Sequence, residues 1–205
     1  MEEGKFYFSA LLLCVVMALI FVVQVSVGGF TDAFVLDSSR VASEPWILLT
    51  SIFLHGSATH LLSNLFALGL FGSILEKVVG TRRFLLYFFA TGLLASVASS
   101  FFYASSLGAS CAIFGVLGVL AALRPKMVVW TYGVPMPMFV AVAFWFLLDF
   151  AGVFFPSNIA NVAHIAGLFA GLAIGIATRS SYKEPARRRE ALSKEELDDW
   201  EGEYM

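Results

Sequence analysis

Three histidines occur in this 205-residue chain, His55, His60 and His164, and each lies inside or against a long apolar run. Ser110 sits in a similar place, within Gly108-Ala109-Ser110-Cys111. Ionisable side chains are costly in hydrocarbon, so a histidine in such a run marks a candidate site. A serine hydroxyl is a weak nucleophile until a base removes its proton. Ser110 is the candidate nucleophile and His164 the candidate base. In an apolar setting the neutral imidazole, the form a general base needs, is favoured. His60 and Asn64 are four residues apart and share one helix face. An imidazole N–H and an amide NH₂ can there point at one developing oxyanion, joined by backbone N–H groups near Ser110 at a helix N-terminus.

Blander roles exist for each residue. A serine at a helix start is most often a cap. His55 precedes the helix that carries His60, and is expected to tie down a loop by hydrogen bonds. His55 and His60 at a spacing of five, with no nearby Cys, Asp or Glu, make a poor zinc site, so no metal is expected. Asp149 falls at the outer end of the fifth apolar run and Glu76 at the cytoplasmic end of the second. Neither is expected in the cluster, which predicts a Ser–His dyad and not a triad.

These residues need helices to hold them. The chain is 59% hydrophobic and only 14% charged, where a soluble domain is nearer half and a quarter. It reads as an all-α polytopic membrane protein of one domain. No basic patch suited to nucleic acid occurs. Cys14 and Cys111 both lie in apolar runs and form no disulfide framework. Six candidate spans follow from the requirement for about 20 apolar residues: 6–27, 58–79, 83–104, 109–123, 127–148 and 159–178. The first is too long, and its leader too acidic, for a signal peptide. Gly28-Gly29, Lys77 to Arg83, Leu107-Gly108, Arg124-Pro125-Lys126 and Pro156-Ser157-Asn158 punctuate the runs. Residues 28–57 mix apolar and charged side chains, as a segment partly in the interface does. The charged segment 179–205 reads as a cytoplasmic tail, whose basic part suits anionic headgroups.

Six spans would put Lys5, Lys77, Arg82, Arg83, Arg124, Lys126, Arg179, Lys183, Arg187, Arg188, Arg189 and Lys194 on one side, and only Arg40 on the other. Twelve of 13 basic residues on one side marks it as cytoplasmic. The second, fourth and sixth spans then run from outside inward. His60, Ser110 and His164 each fall in the first turns of one of these, at similar depth near the outer face. The fourth span is short, about 22 Å against a hydrocarbon thickness of about 30 Å. One of its ends lies below the surface, which leaves a depression for water. Small residues at Gly108, Cys111, Ala112, Gly115, Gly118 and Ala122 in the fourth span face a matching stripe at Ala163, Gly167, Gly171 and Gly175 in the sixth. Close approach of two such faces would bring His164 beside Ser110.

The residues resemble those of the rhomboid family of intramembrane serine proteases. His55-Gly-Ser-Ala-Thr-His60-Leu-Leu-Ser-Asn64 resembles its H-x4-H-x3-N signature, and Gly108-Ala-Ser110 the start of its G-x-S-G motif. Ala163-His164-Ile-Ala-Gly167-Leu-Phe-Ala-Gly171 resembles its A-H-x-x-G-x-x-x-G motif, and Glu76-Lys77-Val-Val-Gly80 is also family-like. The likeness runs from about Trp46 to Thr178. It implies a six-transmembrane-helix rhomboid-like bundle over residues 1–178, with Ser110 as nucleophile, His164 as base, and His60 and Asn64 in the oxyanion hole. It implies transmembrane protein substrates cut near their outer end, in the lipid bilayer, with no cofactor. Lateral entry between the second and fifth helices is implied too, with Phe144, Trp145 and Phe146 as gate candidates.

Two departures stand out. Cys111 replaces the motif's second glycine and would narrow the pocket for the residue before the cut. Neighbouring helical residues point about 100° apart, so Ser110 and Cys111 do not face His164 equally. Ile47 follows Trp46 where members commonly have arginine, and Arg40 is the candidate substitute. The expected protein is a multi-pass cell-membrane endopeptidase with both termini cytoplasmic and its site open to the outer face. The alternative is a catalytically inactive rhomboid-fold protein that binds membrane protein clients. A small transporter is a third reading, against which the chain shows no repeated halves.

Overall fold

The computed structural model describes residues 7–131, 133–155 and 159–182. Lys5, Phe6, the Pro156-Ser157-Asn158 break and the tail beyond Tyr182 lie outside the described residues. Helix α1 is Ser9–Ser26, followed by a short α2, Phe30–Phe34. Strand β1 is Leu36–Asp37, and α3 is Ile47–Thr50. Helix α4, Ala58–Ala67, passes through a π turn at Leu68–Gly72 into α5, Ser73–Val79. Then come α6, Thr81–Phe102; β2, Ser105–Ser106; α7, Ser110–Leu123; β3, Val128–Thr131; β4, Val134–Pro137; α8, Met138–Gly152; and α9, Asn161–Thr178. Among the described residues, four helical segments are long and apolar enough to cross a membrane: Ser9–Ser26, Ala58–Val79, Thr81–Phe102 and Asn161–Tyr182. The apolar helices α7 and α8 are shorter.

One expectation is corrected. The fifth apolar run is not helical over 127–148. Its first part is an antiparallel hairpin, Val128 opposite Pro137 and Thr131 opposite Val134, and the helix runs from Met138 to Gly152. Val128, Val129 and Thr131 favour strand. Pro135 and Pro137 cannot donate helical hydrogen bonds, and Gly133 takes the positive φ (79°) that the turn needs.

Helix α7 sits at the centre, buried at all but Ser110, Phe114 and Ala122, and packs on α6, α8 and α9 and the π turn. Its contact with α9 is backbone to backbone. A methyl on Gly167 would overlap the carbonyl oxygen of Cys111, and one on Gly171 the carbonyl oxygen of Gly115. A methyl on Gly175 would meet the Ala122 methyl at 2.6 Å. The two small-residue stripes therefore meet as expected. At the other end of the bundle, the buried Glu76 carboxylate closes the start of α1. It accepts from the backbone N–H of Ser9 (2.9 Å), Ala10 (3.0 Å) and Tyr7 (3.3 Å), and from the Thr81 hydroxyl (2.5 Å). Those amides have no helical carbonyl to bond, and a carboxylate there also suits the helix dipole.

The loop 28–57 is pinned by β1, which pairs with β2 through Leu36–Ser106 and Asp37–Ser105. Arg40 donates to the Asp32 carbonyl (2.6 Å) and to Glu44 (3.0 Å), and stands 3.4 Å from Asp37, so it does anchor this loop. Ile47 is fully buried beneath it. Outward faces carry Leu12, Phe66, Phe101 and Leu147, exposed apolar side chains that suit lipid.

Gly171→Val should force α7 and α9 apart. The expected cost is about 1–3 kcal/mol of stability, read as a lowered unfolding midpoint in detergent.

Candidate active site

The loop Tyr103–Ala109 leads from α6 into α7. Gly108 is the critical residue in it. Its φ of +121° is a region that side chains rarely adopt, and an added Cβ would meet the His60 ring at 2.6 Å. Its N–H donates to the Ser51 carbonyl at 2.9 Å, which ties the start of α7 to the outer loop. Ser110 is the first residue of α7. Its Oγ lies 2.7 Å from Nε2 of His164, in the first turn of α9. The His164 ring is stacked on Phe114, with centroids 4.5 Å apart and planes 10° from parallel. Phe114 lies one turn below Ser110. That four-residue spacing was the available signal for a residue that sequence reasoning missed.

Nδ1 of His164 lies 2.9 Å from Oδ1 of Asp149, on α8. The expectation that no carboxylate would lie in this cluster is therefore corrected. Helix α8 extends beyond residue 148, so Asp149 stands inside its last turn and faces α9. Both side chains are largely covered, 12% exposed for His164 and 9% for Asp149.

His60 and Asn64 share a face of α4, where Ser57 caps the helix by accepting from the His60 N–H at 3.1 Å. Both side chains lie against Gly108, two residues before Ser110. Asn64 is buried, and its Nδ2 has no hydrogen-bond partner among the described residues. An unpaired buried donor calls for an acceptor. The N–H groups of the first turn of α7 also lack helical carbonyls. The arrangement can thus present several donors to one oxygen beside the Ser110 hydroxyl.

A small recess opens between Ser110 and His164. Ser51, Ser96, Ser99, Ser106, Cys111 and Ala163 are among its lining residues. The Cys111 thiol is 3.8 Å from the Gly108 carbonyl and has no contact with the base like that of Ser110. No group of three or more His, Cys, Asp or Glu suited to a metal occurs among the described residues. Trp145 of α8 meets Phe71 of the π turn edge-on at 5.8 Å, which bridges α8 to the α4–α5 segment.

A family model described as Rhomboid domain matches residues 42–181. The rhomboid protease GluP of Bacillus subtilis is 35% identical over 190 residues, covering 85% of this chain and 36% of its own length. The rhomboid protease GlpG of Haemophilus influenzae is 28% identical over 180 residues, covering 85% of this chain and 91% of its own. A putative rhomboid protease of Bacillus subtilis, YdcA, is 33% identical over 137 residues, 62% of this chain and 64% of its own. The chain thus spans little more than a third of the length of GluP.

His55 behaves differently from the other two histidines. It anchors the loop through its backbone: its N–H donates to Gln24 Oε1 (3.1 Å) and its carbonyl accepts from Gln24 Nε2 (2.9 Å). Its ring is buried, edge-on to His60 at 5.1 Å, with neither nitrogen hydrogen-bonded among the described residues. Burial, and then the neighbouring His60, lower its pKa from 6.5 to about 4. Between those values the unfolded chain binds the extra proton. The stabilisation is complete above pH 6.5 and is lost as pH falls towards about 4. The unfolding midpoint should drop across that window, and His55→Asn should flatten the drop.

Proposed function

Because the chain belongs to the rhomboid family, we propose that this multi-pass membrane protein is a serine endopeptidase that cuts transmembrane protein substrates within the bilayer. The observation that carries the reading is the 2.7 Å contact of Ser110 Oγ with His164 Nε2. As Oγ attacks the scissile carbonyl, its proton passes to Nε2. His60, Asn64 and the first-turn N–H groups of α7 receive the oxyanion. His164 then gives the proton to the leaving amine. Water entering the recess hydrolyses the acyl-enzyme, with His164 again as base. The chemistry calls for no metal or cofactor.

The proposed topology has six crossings over residues 1–178, with α7 and α8 as the short ones and 179–205 as a cytoplasmic tail. Both termini face the cytoplasm, and the site opens outward in a cell membrane. The one-sided placement of the basic residues supports this. The presence of both Ser110 and His164, in contact, speaks against the client-binding alternative. Cys111 lines the recess and favours a small residue before the cut.

Purified protein in liposomes should cleave a single-span substrate. Ser110→Ala and His164→Ala should each lower the rate by about 10³-fold or more. Cys111→Ser should stay active. Persistence of cutting in Ser110→Ala, with loss in Cys111→Ser, would reassign the nucleophile. Separately, Cys111→Gly should widen the accepted residue before the cut from alanine to larger side chains, read as cleavage-site mapping on a substrate series.

A further inference from the structure

We infer that Asp149 is a positioning residue for His164, so that the working unit is Ser110–His164–Asp149, an inference that rests on the protease reading above. Asp149 is the one ionisable residue of α8, set in Met138–Gly152 among apolar side chains. Its neighbours Leu147, Leu148 and Phe150 face outward and are exposed, while Asp149 is turned in and buried. A carboxylate held in such a helix is costly unless it is paired. Its partner is the inward nitrogen of the base, 2.9 Å away.

The chemistry of that contact fixes the tautomer. An ionised carboxylate only accepts hydrogen bonds, so Nδ1 must carry the proton and donate it to Oδ1. Nε2 is then left with its lone pair directed at the Ser110 hydroxyl 2.7 Å away. During attack the Ser110 proton moves to Nε2 while Oγ bonds the carbonyl carbon. The Nδ1 proton stays in place, and the resulting imidazolium faces a carboxylate. Phe114 holds the ring plane from below, and Asp149 holds its rotation. Two further contacts keep α8 in register with α9. The Asn161 side chain packs on Gly152, where an added Cβ would meet it at 2.7 Å, and Phe146 meets Phe169 of α9 edge-on at 5.7 Å. A displacement of α8 away from α9 would withdraw the carboxylate from the base.

Asp149→Asn tests this. An amide can donate to Nδ1 and so place the ring proton on Nε2, the wrong side for a base. The expected result in liposomes is a kcat lowered by roughly 10-fold to 10⁴-fold with KM little changed, and partial rescue by Asp149→Glu. A fold-independent readout accompanies it. With three histidines in the chain, ¹⁵N-histidine spectra of the full protein in lipid resolve the His164 ring by difference from His164→Ala. The wild-type ring should be protonated at Nδ1 alone, and Asp149→Asn should change that pattern. A wild-type ring protonated at Nε2 and bare at Nδ1 would overturn the inference, even if Asp149→Asn fails to fold. So would a kcat within about twofold of wild type in Asp149→Asn. Wild-type protein that cuts no substrate would instead remove the protease reading itself, whereas cutting that is equally fast in both proteins removes only the role of Asp149.

Discussion

The backbone contact between α7 and α9 is the constraint on which the site depends. Gly167, Gly171 and Gly175 bring one helix onto the carbonyls and methyls of the other, with no side chain between them. Helices in lipid gain nothing from hiding apolar surface, since lipid is as apolar as leucine, and they associate through close packing instead. At this separation the first turn of α9 lies beside the first residue of α7, and an imidazole spans the gap to a serine hydroxyl. At an ordinary helix separation, set by larger side chains, the same two residues would not touch.

Around that contact the molecule resolves a conflict between polar chemistry and an apolar solvent. The polar atoms of the site are confined to the beginnings of α4, α7 and α9 and the last turn of α8. There backbone groups lack helical partners. Helix α7 is about 21 Å long, shorter than the hydrocarbon layer, and the serine-lined cavity lies at its start. The opposite end of the bundle is closed by the Glu76 carboxylate, which gathers the start of α1 onto the α5–α6 junction. One end is fastened, and the other carries the reactive groups.

Much of this was legible in the sequence. Ser110, His164, His60 and Asn64 stand out in the sequence as polar residues near the starts of apolar runs, and the structure gathers them around Gly108 and the first residue of α7. The glycine stripes named the pair of helices that meet. Asp149 was visible as a residue but misplaced as a partner. Taking the fifth helix as 127–148 left it past the helix end, whereas Pro135, Pro137 and the β-branched Val128, Val129 and Thr131 turn the first part into a hairpin and shift the helix to Met138–Gly152. Hydropathy alone does not separate an apolar hairpin from a helix, though the two prolines were a readable signal. Phe114 was signalled only by its place one turn after Ser110, because a phenylalanine in an apolar helix carries no mark of the ring it stacks on.

The Gly108-Ala109-Ser110-Cys111 segment also has a consequence for how this sequence can drift. At position 108 a substitution must satisfy the backbone and the His60 ring together, so no single replacement offers a neutral route, and a compensating change in α4 would still leave the backbone strained. At position 111 the backbone is ordinary helix, and the side chain, buried beside Ala95 and Ala163, lines the recess. Mutation at 108 is therefore confined by backbone and packing together, whereas at 111 packing alone sets the limit and a change of size alters what the recess admits. Within one four-residue motif the letters therefore face unequal physical constraints.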